Sequence, residues 1–271
     1  MYEAFYEMER TPFVRNVPAG SLYESPAMAD ALGRLSYAAD RQLFAVVTAD
    51  SGCGKSTLLR RFQETMPKDD YLILYLSDSK LTPRWFYKGL LDQLGIESRF
   101  YRGDAKRQLQ KEVEIIRGVQ NKKVICILDE AHLLEKETIE EFRFLLNYRY
   151  DSMSPMALIL AGQSELWDKL RLQRYAAVKQ RIDINCVLPH LDRAETERYV
   201  QSHLDYAGGK KEIFTDRAMD EIYKQSAGTM RVINRICDRS LMYAFQQNRR
   251  LIDEHLVHYI VENELRGGGA E

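Results

Sequence analysis

The sequence predicts an α/β protein in which a five-stranded parallel sheet is followed by a small all-helical domain. Three observations predict it. Five short apolar runs, Leu43–Thr48, Tyr71–Leu76, Lys123–Leu128, Met156–Ala161 and Ile182–Leu188, are β-branched or Leu-rich without strict alternation, as in strands buried on both faces. Amphipathic helical stretches separate these runs, the alternation of a doubly wound sheet. From Arg193 onward only helical periodicity is found, broken at Gly208-Gly209, around Gly228 and near Asn248. The predicted divisions are an α/β domain over 1–188, four helices over 189–266 and a disordered tail over 267–271.

In chain order, Ser25-Pro26 supplies a cap and first-turn pair for a helix to about Ala39. The first apolar run leads into Ala49-Asp50-Ser51-Gly52-Cys53-Gly54-Lys55-Ser56-Thr57, a small-residue loop opening a helix. Such a loop turns backbone N–H groups toward phosphates, with Lys55 reaching the β/γ oxygens and the Ser56 hydroxyl ligating Mg²⁺. The pattern asks for Gly six residues before the lysine, and Ala49 stands there; a turn with positive φ at that point would disfavour it. Thr82-Pro83 starts a helix carrying Phe86, Leu90 and Leu94 on one face and closed by Gly95. A further helix shows Ile139, Phe142, Leu145 and Leu146.

The third run ends in Asp129-Glu130, at the carboxyl edge where open α/β sheets bind ligands. In this pattern Asp129 holds Mg²⁺ through its water shell and Glu130 polarises the attacking water. His132 has no evident task, structural and nucleotide-sensing roles standing level. The fourth run ends in Gly162-Gln163-Ser164, placing Gln163 to hydrogen-bond that water. Arg231, opening a helix after Gly228-Thr229-Met230, is the candidate for coupling phosphate state to the helical domain. Arg181, just before the fifth run, is the candidate for a finger on a neighbour's γ-phosphate, with Arg174 as its competitor.

At 271 residues, 45% hydrophobic and net charge −1, the chain has room for two domains and no global pull toward polyanions. Its four cysteines, Cys53, Cys126, Cys186 and Cys237, lie far apart without metal spacing and read as reduced, buried thiols. Glu3, Glu7 and Glu9 argue against a secretory leader, and no apolar run nears the roughly 20 residues of a membrane span. A cytoplasmic protein without a membrane partner is expected. Between Lys80 and Lys123 eleven Lys/Arg face five acids, with Trp85, Phe86, Tyr87, Phe100 and Tyr101 interleaved. Such a patch suits salt-sensitive contact with nucleic-acid phosphates.

The string from Tyr6 to Thr57 (notably Thr11-Pro12-Phe13, Leu22-Tyr23 and Ala31-Leu32), DEAHLL at Asp129–Leu134 and LAGQSEL at Leu160–Leu166 together resemble ExeA-type AAA+ ATPases. That family includes the general-secretion A protein and ATPase partners of DDE transposases, related to the phage Mu B protein and the TnsC/TniB proteins. The resemblance implies a P-loop AAA+ domain with an all-α lid. It also implies ATP with Mg²⁺ as cofactors, active sites shared between subunits, and Pro12, Phe13 and Tyr23 beside the adenine. The secretion branch carries a membrane span and a peptidoglycan-binding region after its ATPase, so the transposition branch is the expectation. That branch implies self-assembly as a ring or helical filament on double-stranded DNA and recruitment or activation of a DDE transposase. In it Lys80, Arg84, Arg99, Tyr101 and Arg102 occupy the places that face DNA. The alternatives are a secretion-associated ATPase acting on protein, a nucleotide switch with little turnover, and a DEAH-type helicase, for which a second motor domain is lacking.

Overall fold

The computed structural model describes residues 2–14, 17–21, 23–78, 81–146, 154–209 and 212–265. Two units emerge: a helical unit of Met1–Pro26, Gly52–Gly54 and Pro189–Glu271, and a sheet unit of Ala27–Ser51 and Lys55–Leu188. The first 26 residues therefore go with the helical unit, whereas the sequence reading carried them with the sheet. The reason is long-range contact. The first helix, α1 (Tyr2–Phe5), is held by Tyr2 Oη donating to Asp238 Oδ1 at 2.9 Å. Tyr6 Oη donates to the Arg249 carbonyl at 3.1 Å, and Phe5 meets Phe245 edge-on.

In the sheet unit the strands are β1 (Phe44–Ala49), β2 (Tyr71–Leu76), β3 (Lys123–Leu128), β4 (Ala157–Gly162) and β5 (Ile184–Leu188). They pair in parallel in the order β2-β3-β4-β1-β5. The apolar runs thus form strands within two residues of their expected limits. Ile182 falls before β5 because the chain is still turning there, and the Asp183 carboxylate accepts from the Phe44 N–H at 2.9 Å. β1 and β4 are buried along their whole length, as sandwiched strands require.

The connecting helices are α2 (Pro26–Arg41), α3 (Lys55–Thr65), α4 (Pro83–Gln93), α5 (Arg102–Val119), α6 (Lys136–Leu146), α7 (Glu165–Arg171) and α8 (Ala176–Lys179). Thr82 Oγ1 caps α4 by accepting from Trp85 N, and Gly95 at φ 72° ends it. Phe86, Tyr87, Leu90 and Leu91 of α4, Leu109 and Val113 of α5, and Ile139 and Phe142 of α6 form one buried cluster with alternate residues of β3 and β4. At the sheet margin, the Gln93 side chain accepts from Tyr75 N and donates to Tyr75 O, both at 2.9 Å.

The helical unit continues with α9 (Arg193–Ala207), α10 (Asp216–Ser226), α11 (Met230–Gln246) and α12 (Glu254–Ile260). A capping box of Asp192 and Glu195 starts α9, and Gly208 in the left-handed region ends it. Gly228 has φ 75°, and a Cβ there would stand 1.9 Å from the Leu191 carbonyl oxygen, so only glycine fits. The breaks fall where the periodicity placed them. The tail over 267–271 and Lys80 lie outside the described residues. Cys53, Cys126, Cys186 and Cys237 are all buried free thiols, and burial pushes Cys126 up to about 12.

Candidate functional site

Parallel pairing puts the carboxyl ends of β1, β3 and β4 on one edge of the sheet, where the loop after β1 and the acids after β3 emerge. Ala49 closes β1, buried and in register with Leu188. It takes no positive φ, so the methyl costs nothing and the concern over a missing glycine is removed. The left-handed positions are Gly52 at φ 88° and Gly54 at φ 90°. Lys55 begins α3, followed by Ser56, exposed in the first turn, and half-buried Thr57. Asp50 accepts a hydrogen bond from the Ser164 hydroxyl, which ties the loop entrance to the end of β4. Ser51 precedes the loop glycines, and Cys53 is buried among them.

The Lys55 ammonium touches Asp129 Oδ1 and lies 2.7 Å from Glu130 Oε1. Asp129 is buried, accepting from Glu130 N at 2.8 Å and from Tyr75 Oη at 3.0 Å. Burial and the Asp129 charge push the Tyr75 phenol up to about 12, so it stays a donor. Glu130 sits in the left-handed region at φ 53°, ψ 31°, a conformation costing a non-glycine residue on the order of 1 kcal/mol. Lys55 holds its carboxylate and Asp129 accepts its N–H, and together these bonds keep it there.

His132, without a task in the sequence, contacts Gln163 twice: its Nδ1 accepts from Gln163 N at 3.4 Å, and its Nε2 meets Gln163 Nε2 at 3.1 Å. Lys169 clamps the segment from below by donating to the His132 and Leu134 carbonyls. A Cβ on Gly162 would come within 3.0 Å of His132 N, so the small residue at the end of β4 permits this approach. Sequence reasoning missed Tyr75 and Ser164. The only signal was position, each lying at or just after the carboxyl end of a strand.

In the helical unit, the Arg231 N–H donates to the Gly52 carbonyl at 3.2 Å, and a Cβ on Gly52 would meet Arg231 Cβ at 2.8 Å. Phe13, at φ 56°, stacks on His203 with centroids 5.1 Å apart. Tyr199 packs edge-on against both His203 and Tyr23, and Arg198 Nε donates to Tyr23 Oη at 3.4 Å. Burial pushes His203 down to about 4. Elsewhere in the sheet unit, Arg181 and Arg143 line one cavity of about 440 Å³ with Ala177 and Gln180. The rival Arg174 lies over the Tyr175 ring.

The basic stretch divides. Phe86 and Tyr87 are core, and the Tyr87 hydroxyl donates to buried Glu141 at 2.6 Å. Arg102 and Lys106 pair with Glu141, Arg107 with Asp104 and Lys123 with Asp40. Arg84, Lys88 and Arg99 make no ion pair among the described residues. Arg84, Arg99 and Tyr101 are exposed.

Residues 38–170 match the family model described as AAA domain. The chain is 30% identical over 259 residues to the General secretion pathway protein A of Aeromonas hydrophila. That match covers 93% of this chain but 46% of the relative, so the chain spans about half the relative's length. Among solved structures, the ORC2 protein of Aeropyrum pernix in ADPNP–ADP complexes superposes with a TM-score of 0.67 at 17% identity, covering 93% of this chain and 71% of that one. Drosophila ORC bound to DNA gives 0.66 at 16% identity, covering 92% and 62%. At such identities the likeness concerns the fold: a P-loop AAA+ fold with a five-stranded parallel sheet and a helical C-terminal part.

Proposed function

We propose that the chain is an ATP-hydrolysing AAA+ ATPase that assembles on double-stranded DNA when loaded with ATP and recruits or activates a DDE transposase. The observation that carries the nucleotide half is Lys55, buried at the start of α3 and gripped by Asp129 and Glu130. Two acids and one lysine at a strand edge form a cluster that a triphosphate re-partners: Lys55 exchanges carboxylates for phosphate oxygens. The loop N–H groups presented by Gly52 and Gly54 cradle the phosphates.

Exposed Ser56 and the Asp129 carboxylate would hold Mg²⁺, an oxygen pair that fits a hard cation retaining several waters. The bound ion supplies charge neutralisation on the triphosphate. Once Lys55 has turned to phosphate, Glu130 is free to take a proton from water as general base. Gln163, fixed by His132, orients that water. Arg231, adjoining Gly52, is the proposed reporter of phosphate state, and Phe13 and Tyr23 the proposed adenine contacts. Arg181 is the proposed finger toward a neighbouring copy, and Arg143 in the same cavity adds a second cation there.

Support for DNA comes from Arg84, Arg99 and Tyr101, all exposed, and from a fold shared with an ORC bound to DNA. The transposase partner, and assembly as a ring or filament, rest on the sequence resemblance. A cytoplasmic setting is proposed with them; no helix among the described residues is long and apolar enough to cross a membrane. The similarity to General secretion pathway protein A favours a second reading, an ATPase acting on protein partners. Electron microscopy and sedimentation with 60-base-pair duplex, Mg²⁺ and a non-hydrolysable ATP analogue separate the two. Nucleotide-dependent assemblies on duplex are expected. Nucleotide uptake with no retention of duplex at low salt would refute the DNA reading in favour of the second.

A further inference from the structure

Three large aromatics stand out from the sheet unit in one patch: Trp85 is 52% exposed, Phe100 67% and Tyr101 71%. Cations bind them together. The Arg84 guanidinium lies 4.2 Å from the Phe100 ring centre, Phe100 meets Tyr101 edge-on at 5.3 Å, and the Lys88 ammonium lies 4.7 Å from Trp85. Arg84 and Lys88 lie one turn apart on α4, which puts the Arg84–Phe100–Tyr101 and Lys88–Trp85 contacts on neighbouring parts of the helix. Burial would stabilise these rings, yet they face water, while their sequence neighbours Phe86 and Tyr87 are fully buried. Arg84, Lys88 and Arg99 carry no ion pair among the described residues, so the patch offers positive charge beside exposed rings.

We propose that this patch is a stacking platform for unpaired nucleobases, its three cations taking the flanking phosphates. A partner that is both polyanionic and rich in flat rings matches both properties; an acidic peptide matches only the charge. Bases in a uniform duplex keep their faces covered by their neighbours. The platform therefore favours single strands and duplex sites where bases are already unstacked. The inference rests on the DNA reading above and refines it: phosphate contact is shared by all DNA, and the aromatic rings select distortion.

The test is anisotropy with the full chain, Mg²⁺ and a non-hydrolysable ATP analogue. Three fluorescein-labelled probes are compared: matched duplex, the same duplex with a three-base bubble, and a 20-nucleotide dT strand. Stacking contributes roughly ten-fold in affinity per base, so the bubble should bind about ten-fold tighter than the matched duplex. The double variant Phe100→Ser/Tyr101→Ser, checked for fold by far-UV circular dichroism, should bring the affinity for the bubble down to that for matched duplex. The dT strand should also quench Trp85 fluorescence; the other tryptophan, Trp167, packs against the core, and Trp85→Phe should remove the quenching. Equal affinity for bubble and matched duplex, or a preference that survives the double variant, would overturn the platform and leave the duplex reading standing. Poly-L-glutamate binding as tightly as dT would overturn it in favour of charge alone. Failure to bind any DNA would remove both.

Discussion

Replacing Lys55 with methionine keeps the apolar stem and removes the ammonium that Asp129 and Glu130 share. The side chains of Lys55 and Asp129 are only 10% and 7% exposed, so Asp129 would be left charged in a poorly solvated site. Breaking a buried pair this way costs about 3–5 kcal/mol. The lower end applies, because Tyr75 Oη and Glu130 N still donate to Asp129. Glu130, with its side chain 38% exposed, adds little after solvent screening. With a urea dependence of about 2 kcal/mol/M, a 3 kcal/mol loss lowers the nucleotide-free unfolding midpoint by about 1.5 M. The double variant Lys55→Met/Asp129→Asn should recover most of that loss, since the orphaned charge is gone, yet remain unable to bind ATP. A single variant as stable as the parent, or a double variant no better than the single, would refute the account of a buried charge held by Lys55.

Glu130→Gln should bind ATP but hydrolyse it about 10²–10⁴-fold more slowly, the usual contribution of a general base; parental turnover in a phosphate-release assay would take Glu130 out of that role. Arg181→Ala should lose about 10³-fold or more in turnover and regain activity when mixed with Lys55→Met subunits, if the finger acts across copies. Mixtures as inactive as their components would remove Arg181 from the trans position. His203 is held neutral by burial, its ordinary value of 6.5 lowered to about 4, so the unfolded chain binds the proton more readily than the folded one. Its contribution is therefore complete above pH 6.5 and is lost as pH falls toward 4, up to about 3 kcal/mol by linkage. His203→Phe should flatten the melting temperature over that window, and an unchanged acid-side slope would contradict the burial argument.

The sheet was legible because strands buried on both faces must be continuously apolar, and runs such as Lys123–Leu128 have no other use. The helix ends were legible where a side chain or a glycine performs the capping, as at Thr82, Gly95 and Gly208. The nucleotide loop was readable through Gly54-Lys55-Ser56, yet the concern about Ala49 was unfounded. That position is the end of a strand rather than part of the turn, a backbone detail a pattern does not carry. His132 and Tyr75 found their partners only in three dimensions, across gaps of 31 and 54 residues. The placement of the first 26 residues with the helices was hidden for the same reason, since Tyr2 and Asp238 are 236 positions apart. Periodicity already set Phe86 on the apolar face of its helix, whereas the burial of Tyr87 and the exposure of Trp85 on either side of it emerged only in three dimensions.

The grip of Gln93 on both main-chain groups of Tyr75 has a bearing on how copies of this chain can meet. β2 is an outer strand, and an outer strand with open amides invites another chain to extend the sheet indefinitely. By occupying those groups with a primary amide, the molecule withdraws the carboxyl end of that strand from such growth. Joining of copies through that part of β2 is thereby closed, β5 forming the other margin of the sheet. The same amide also fixes the backbone from which the Tyr75 phenol reaches Asp129, so Gln93→Ala would disturb solubility and turnover together.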